Sequence, residues 1–310
     1  MSSRPFDILI VGELNVDIIL SGDVMPRFGQ VEKLIDDLSI CTGSSSGIFA
    51  AGAAKMGLRV LFVSTVGDDL FGHFVIKALS DAGVDTSLVR VDPTIKTGVT
   101  VVLSRGQDRA MLTHLGSIAA ISDDHLDPCR YGLARHLHVA SPFLLEGLRE
   151  AMPAMMRAAK VAGMSVSLDP NWDPEQRWAL SGFFDYLDVF LPNDAELRAI
   201  AAQPDLELAI AHMASRVPVL AIKRGAKGAI GVRDRERIDL PAFPVEVVDS
   251  TGAGDSFDAG FLAGWLGGES LKRCLQLGAA CGALTTSRVG GLNGQPSWDG
   301  AVAFVLQHRP

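Results

Sequence analysis

The sequence has few of the features that mark metal-binding, redox, secreted or membrane proteins. Its four cysteines, Cys41, Cys129, Cys274 and Cys281, include no Cys-x-x-Cys pair, so we expect reduced thiols rather than a zinc ribbon or redox motif. Charged residues interrupt the apolar run near the N-terminus before it reaches the length of a signal-peptide core or a membrane span. We therefore expect a cytoplasmic protein that does not bind membranes.

Positive charge is also scarce. The 310 residues include 28 Lys and Arg against 36 Asp and Glu, which gives a net charge of −8. An acidic chain has no general attraction for phosphate backbones, so binding to nucleic acid is not expected. What the chain does have is apolar residues, 48% of the total, and they suffice to bury a large core. Its length fits one large α/β unit, with or without a small appendage.

Short apolar segments alternate with helical patterns along most of the chain. Helices are expected at 44–57 and 71–82, and strands at 6–12, 16–20, 60–64, near 138, and at 165–168, 189–191 and 219–222. Strands that alternate with helices predict a parallel, doubly wound sheet with right-handed crossovers. Two helices, at about 255–266 and 270–287, are expected to end the fold.

Residues 87–115 break this rhythm. Three short alternating runs, near 88–91, 98–103 and 110–114, are separated by turn residues, including Arg105-Gly106-Gln107-Asp108. This pattern is typical of antiparallel hairpins, and a further hairpin is expected at 229–240. The interpretation is one α/β domain with a small β appendage.

The most informative stretch is the glycine loop, Asp249-Ser250-Thr251-Gly252-Ala253-Gly254-Asp255, which precedes a predicted helix. Gly252 and Gly254 permit a tight turn in which successive amide N–H groups are bare. At a helix N-terminus such amides, with that of Ala253, favour an anion such as a phosphate in transfer. Asp255 would then be a general base that faces a proton-bearing nucleophile. The alternative is an ordinary capped helix, in which Asp255 merely interacts with the helix dipole.

Two well-known nucleotide-binding patterns are missing. The chain contains no Gly-x-x-x-x-Gly-Lys-Ser/Thr loop, so it is not a P-loop enzyme, and no Gly-x-Gly-x-x-Gly follows its first strand. The second absence argues against a nicotinamide-dependent dehydrogenase.

The glycine loop, followed by Phe257 and Ala259-Gly260, resembles the C-terminal signature of the ribokinase-like (PfkB) carbohydrate kinases. Further blocks resemble the family's motifs in the same order: residues 12–17, 43–57, 66–72, 192–196 and 223–228. The resemblance implies a three-layer α/β/α fold with a mostly parallel central sheet and a small β-sheet lid. The whole chain, 1–310, would be one kinase domain, with lid segments at about 12–42 and 87–115. A homodimer through the lids, as in relatives, stays open.

The resemblance also implies the reaction, transfer of the ATP γ-phosphoryl group to a sugar hydroxyl with Mg²⁺. Asp255 would take the hydroxyl proton, and the amides of residues 251–255 would hold the developing charge. Asn193 and Glu196 would belong to the Mg²⁺–phosphate network, with Glu196 acting through water. Asn193 fits a helix N-cap equally well.

The nucleotide would contact a second group of residues, by the same resemblance: Lys223, Gly225, Gly228, Thr251 and Ala279. Many relatives have asparagine where this chain has Ala279, so the preference for ATP over other nucleotides stays open. Activation by K⁺, which occurs in some relatives, also stays open.

Candidate contacts to the sugar are polar groups at strand ends and on the lid: Asn15, Asp17, Gly43, Asn171 and Arg109. Asn15, Asp17 and Asn171 could equally be turn residues. Arg105 and Arg109 flank a hairpin turn, where they are either solvated or able to bind a carboxylate on an acidic sugar. The run Ser44-Ser45-Ser46 replaces an asparagine of many relatives, which leaves the identity of the sugar open.

Alternative functions remain at this point. A nucleoside kinase of the same family would need an aromatic wall for the acceptor base, and the lid segments offer little beyond Phe28. A non-catalytic sugar sensor could lose its base, whereas Asp255 and both loop glycines are present. His136 and His138 share one face of a strand, and without a third ligand we interpret them as structural.

Overall fold

A computed structural model describes residues 4–105, 108–122 and 128–308 of the chain. The predicted turn residues Gly106 and Gln107 and the side chain of Cys129 lie outside this description. Within it, every helix is too short or too polar to cross a bilayer.

The described residues form thirteen strands in two sheets. In chain order the strands are β1 (Phe6–Val11), β2 (Asn15–Ser21), β3 (Asp37–Thr42), β4 (Val60–Gly67), β5 (Asp85–Asp92), β6 (Gly98–Arg105), β7 (Asp108–His114), β8 (Ala134–Ala140), β9 (Ser165–Asp169), β10 (Val189–Phe190), β11 (Val219–Lys223), β12 (Ala229–Arg233) and β13 (Glu236–Leu240).

Helices connect or flank these strands. They are α1 (Ser45–Lys55), α2 (Leu70–Asp81), α3 (Met152–Val161), α4 (Asp194–Ile200), α5 (Leu206–Ala214), α6 (Ala253–Leu266), α7 (Leu271–Thr285) and α8 (Trp298–Gln307). Short 3₁₀ turns lie at Gly116–Ile118, Pro128–Gly132, Phe184–Tyr186 and Gly225–Lys227.

The large sheet has the order β13-β12-β11-β10-β9-β8-β1-β4-β5. Its strands are parallel from β11 to β5, and the β12–β13 hairpin extends one edge in the antiparallel sense. Alternate residues of β1 enter different cores, Leu9 and Val11 on one face and Ile8 and Ile10 on the other. Helices α3 to α5 cover the first face and α1, α2, α6 and α7 the second, which confirms the predicted three layers.

The small sheet has the order β3-β2-β6-β7. Strands β2 and β6 pair in parallel, whereas β3 and β7 pair antiparallel to them at the two edges. The predicted hairpin at 98–114 is therefore present as β6 and β7. This sheet begins immediately after β1, so it adjoins the carboxyl-end edge of the large sheet.

Two details of the sequence interpretation are wrong. The run near 88–91 is part of β5, which pairs in parallel with β4 in the large sheet and is not a hairpin strand. As an edge strand with many half-exposed residues, β5 shows the same alternation as a lid strand. A last helix, α8, follows the two that were expected, and its N-cap is the Ser297 hydroxyl.

Candidate active site

The glycine loop lies between the two sheets and leads directly into α6. Gly252 is the N-cap of α6 with a φ of 72°, in the left-handed region that suits glycine. A Cβ atom added there would lie 2.8 Å from the Cα atom of Gly291, so the backbone leaves no room for one. At Gly254 the nearest atoms to such a Cβ belong to Lys223, at 3.7 Å. The loop thus leads into a helix N-terminus, but two of its amides already have acceptors: Thr251 donates to Asp249 Oδ1 at 2.9 Å and Ala253 to the Ser250 carbonyl oxygen at 3.3 Å.

Asp249 holds the loop in shape. Its Oδ1 accepts hydrogen bonds from the amide and hydroxyl of Thr251, at 2.9 and 2.7 Å, and its Oδ2 accepts one from the Gly290 amide at 2.9 Å. Although burial raises the pKa of Asp249, these donors lower it below its ordinary value. Asp249 is therefore an ionised anchor for the loop.

Asp255 stands in the first turn of α6 and is partly exposed. The Ser45 hydroxyl, at the start of α1, donates a hydrogen bond to it. Asn171, just after β9, donates from Nδ2 to Ser45 Oγ at 2.8 Å. Burial, together with the charge of the nearby Asp169, raises the pKa of Asp255 to about 7, whereas Ser45 and Lys223 oppose the rise. A carboxylate that titrates near neutrality is suited to accept a proton.

Three of the predicted sugar contacts lie together at the start of the small sheet. Asn15 donates from Nδ2 to Asp17 Oδ1 at 3.0 Å. A Cβ atom on Gly43 would lie 2.1 Å from Asp17 Oδ1 and 2.4 Å from Asn15 Nδ2, so the two side chains lie directly against this glycine. Burial raises the pKa of Asp17 to about 6, opposed by Asn15 and by the charge of Arg109.

Arg109 and Arg105 have different surroundings. Arg109, on β7, donates from Nη1 to Thr251 Oγ1 at 3.4 Å, so it reaches from the small sheet to the glycine loop. Its charge also acts on the carboxylates of Asp17 and Asp249. Arg105 instead acts on Asp23, an exposed residue beyond β2. Of the two hairpin arginines, the structure brings only Arg109 to the described glycine loop.

Asn193 and Glu196 form a reciprocal cap at the start of α4. Asn193 Oδ1 accepts from the Glu196 amide at 2.9 Å, and the Glu196 carboxylate accepts from the Asn193 amide at 2.8 Å and from its Nδ2 at 2.6 Å. Burial, together with the charge of Asp169, raises the pKa of Glu196 to about 7, and the charge of Lys223 opposes this rise. Asn193 is thus the N-cap of α4, and each carboxylate oxygen of Glu196 already accepts a hydrogen bond from Asn193.

The remaining predicted nucleotide contacts are spread over two elements. Gly225 is exposed in a turn after β11, whereas Gly228 packs so closely on Leu240 that a Cβ atom would collide with its carbonyl oxygen. Ala279 is half-buried on α7, where it packs against apolar residues. Lys223 is mostly buried, and its ammonium donates to Asp169 Oδ2 at 2.7 Å and to Asp258 Oδ2 at 2.9 Å.

Sequence reasoning assigned no individual role to three acids that lie at this site, Glu13, Asp169 and Asp258, and it named Ser45 only within the serine run that bears on the identity of the sugar. Glu13 is buried beside α1 and accepts from the Ser46 hydroxyl at 2.6 Å, and burial raises its pKa to about 7. The spacing of Asp258, three residues after Asp255 on one helix, was a usable signal because such residues share a helix face.

His136 and His138 occupy structural positions. Both are buried, and three of their ring nitrogens lie 2.7 or 2.8 Å from the hydroxyls of Ser165 and Ser167. The part of the chain that the structure describes contains no group of three His, Cys, Asp or Glu residues placed to hold a metal ion.

Comparison with known proteins identifies the family. The model of the pfkB family carbohydrate kinases matches residues 8–298, so the chain belongs to this family. An ATP-dependent ribose-1-phosphate kinase of Halopiger xanaduensis is 32% identical over 304 residues, which cover 97% of this chain and 98% of that protein. A fructokinase of Klebsiella pneumoniae is 30% identical over 311 residues, with 94% and 97% covered.

Solved structures agree with this assignment. An E. coli protein described as a ribokinase II, in complex with ATP and Mg²⁺, matches with a TM-score of 0.89 at 26% identity, covering 98% of this chain and 100% of that one. An Arabidopsis thaliana ribokinase matches in fold, with a TM-score of 0.83 over 97% and 98% of the two chains at 24% identity. The chain is a carbohydrate kinase, a phosphotransferase with an alcohol group as acceptor.

Proposed function

We propose that the protein transfers the γ-phosphoryl group of ATP to a hydroxyl of a small carbohydrate, with Asp255 as the general base. The observation that carries this proposal is the position of Asp255, which is partly exposed in the first turn of α6, directly after the glycine loop. The ATP complex of the E. coli relative supports the choice of nucleotide.

In the proposed reaction, one bond to the γ-phosphorus forms as another breaks. The acceptor oxygen attacks the γ-phosphorus, the bond from that phosphorus to the bridging oxygen breaks, and ADP leaves. The proton of the acceptor hydroxyl passes to Asp255, while the amides of Gly252 and Gly254 stabilise negative charge on the transferred group. Ser45 and Asn171 orient the Asp255 carboxylate through their hydrogen bonds.

The residues present fit Mg²⁺ bound mainly by the nucleotide. Mg²⁺ usually keeps several waters and takes one or two carboxylates together with substrate phosphates. Glu196 suits a role through water, since both of its oxygens already accept hydrogen bonds from Asn193. When bound, the ion neutralises charge on the phosphates.

A screen of ADP release tests the function. Purified protein would be assayed with ATP and Mg²⁺, in potassium or sodium salts, against hexoses, pentoses, ketoaldonic acids, sugar phosphates and adenosine, with products identified by ³¹P NMR. Phosphorylation of at least one carbohydrate is expected, and its loss in Asp255→Asn would tie turnover to the proposed base. Turnover of adenosine alone would make the protein a nucleoside kinase, and ATP turnover that survives Asp255→Asn would refute the mechanism.

An acceptor that carries an anionic group is the more specific candidate, and Arg109 favours it. This guanidinium donates to Thr251 Oγ1 and its charge acts on the carboxylate of Asp17, so it would add positive charge beside the acceptor. The similarity to a ribose-1-phosphate kinase supports a phosphorylated sugar.

Variants of the two hairpin arginines test this acceptor. In Arg109→Ala we expect KM for an anionic sugar to rise about tenfold or more while neutral sugars change little, since a charge-assisted contact contributes about 1.5–3 kcal/mol. Arg105→Ala is the matched control, because Arg105 acts on Asp23 rather than on the site. Equal effects of Arg109→Ala on neutral and anionic sugars would refute anion recognition.

A further inference from the structure

We propose that Lys223 is a positioning residue that, with Asp169 and Asp258, forms a buried ion cluster beneath the glycine loop and keeps Asp255 ionised in its working position. This inference rests on the proposed function, because it assigns a role relative to the proposed base. It differs from the nucleotide contact that the family resemblance implied for Lys223.

The cluster connects three separate elements. Lys223 is the last residue of β11, Asp169 the last residue of β9, and Asp258 lies in the second turn of α6. The two ion pairs measure 2.7 and 2.9 Å, and the side chain of Lys223 is only 13% exposed, against 2% and 1% for the two carboxylates. Since α6 starts at the glycine loop, fixing Asp258 fixes the helix that presents the loop amides and Asp255.

Lys223 also lies directly under the loop. Its Cδ and Nζ atoms are 3.7 Å from the position that a Cβ atom of Gly254 would occupy. The aliphatic stem and the ammonium of Lys223 therefore pack against Gly254, the second glycine of the loop. A longer or shorter cation at this position would displace the glycine loop.

The second role of the cluster is electrostatic, because its charges act on the carboxylate of Asp255. Asp169, at the end of β9, and Glu13, which follows β1, raise the pKa of Asp255, whereas Lys223 lowers it. Burial raises the pKa of Asp258 well above its ordinary value, and the Lys223 ammonium opposes that rise. Lys223 is thus the cation that contacts both buried carboxylates. Without Lys223, an uncompensated carboxylate would lie beside the proposed base.

The competing role for Lys223 is direct binding of ATP phosphates, and the two roles predict different kinetics. A residue that only binds the nucleotide changes KM for ATP with little effect on kcat. A residue that positions and charges the base changes kcat and its pH profile, with KM for ATP nearly constant.

The experiment compares Lys223→Met, Lys223→Arg and the double variant Lys223→Met/Asp258→Asn with wild type. For Lys223→Met we expect kcat to fall roughly tenfold or more, but by less than the factor of about 10²–10⁴ expected for loss of the base itself. The acid limb of kcat should move to higher pH. The double variant should recover part of the loss and should fold even if Lys223→Met does not, because it also removes a buried acid.

Lys160→Met is the matched control, because Lys160 pairs with Asp188 at the same distance, 2.7 Å, at the amino end of β9. It should leave kcat and its pH profile unchanged. A raised KM for ATP with unchanged kcat in Lys223→Met would make Lys223 a nucleotide ligand and overturn the proposal. So would a double variant that shows the wild-type kcat and pH profile. If wild-type protein phosphorylates no acceptor, the proposed function fails first, and this inference fails with it.

Discussion

At the two ends of the large sheet, the pKa values of acidic side chains are shifted in opposite directions. At the amino end, near the start of β1, Asp7 binds Arg59 at 2.9 Å and Arg135 at 2.8 Å. Hydrogen bonds from Arg59 hold the pKa of Asp7 well below its ordinary value. At the carboxyl end, burial raises the pKa values of Glu13 and Asp255 to about 7.

Because of this difference, acids at one end of the strands stabilise the fold, whereas acids at the other end are suited to proton transfer. A carboxylate paired with two arginines stabilises the fold and has little tendency to take a proton. A carboxylate that is buried near other acids destabilises the fold when ionised, and it is ready to accept a proton. Functional sites commonly reduce stability in this way. The amino end of the sheet thus contributes stability, and the carboxyl end contributes reactive groups.

The largest effect is expected at the carboxyl end of the sheet, when an amide nitrogen replaces one carboxylate oxygen of Asp255. Asp255→Asn should lower kcat by about 10²–10⁴ because the proposed base is lost. Its melting temperature should stay the same or rise, since a desolvated acid is removed. Steady-state kinetics and thermal unfolding measure the two effects. A large loss of stability with unchanged kcat would place Asp255 with the structural acids.

The pH dependence of wild-type turnover sharpens the same comparison. Asp255 must be ionised to accept a proton, and its pKa is raised to about 7. Turnover should therefore fall by about tenfold per pH unit below that value. A profile of kcat/KM from pH 5 to 9 measures this. A profile that stays flat down to pH 5 would contradict a base with a raised pKa.

At the amino end the expected effect is on stability alone. Asp7→Asn should lower the free energy of unfolding by about 1–2 kcal/mol, discounted because both arginines are half-exposed. Because the folded pKa of Asp7 is lowered, its contribution is present above the unfolded value of 3.8 and is lost as the pH falls below it. Urea unfolding at pH 7 and pH 3 measures this contribution, and kcat should not change.

The smallest effect is expected at Glu13, whose pKa is raised from 4.5 to about 7 by burial. Its contribution to stability is present below pH 4.5 and is lost as the pH rises to about 7, since only the unfolded state ionises freely in that window. Glu13→Gln should remove this loss and raise the free energy of unfolding at pH 8 by about 1 kcal/mol. A destabilised Gln variant at pH 8 would show that ionised Glu13 is needed by the fold.

Much of the fold could be predicted from the sequence because local patterns carry it. The βα alternation, the helix caps and the hairpin at 229–240 are short-range features, and each is present. Strand β5 could not be assigned from alternation, because an exposed edge strand and a lid strand have the same polarity pattern. The final helix α8 is a short segment, and its signal was limited to one capping serine.

The site was less accessible to sequence reasoning for a related reason. Glycine loops and acidic residues in a turn are visible as motifs, so Gly252, Gly254 and Asp255 could be selected. The partners of Lys223 lie 54 and 35 residues away, and no local pattern joins them. Likewise Ser45 reaches Asp255 across 210 residues. Such contacts depend on which strand ends meet, and only the folded sheet determines that.

Gly43 packs tightly against the side chains of Asn15 and Asp17. Even one methyl group there would overlap the Asp17 carboxylate oxygen and the Asn15 amide nitrogen, so a substitution at this position would force both side chains to move. Arg109 lies instead on the exposed edge strand β7. Under the proposed function, selection for other acceptors would therefore act through Arg109 rather than through Gly43.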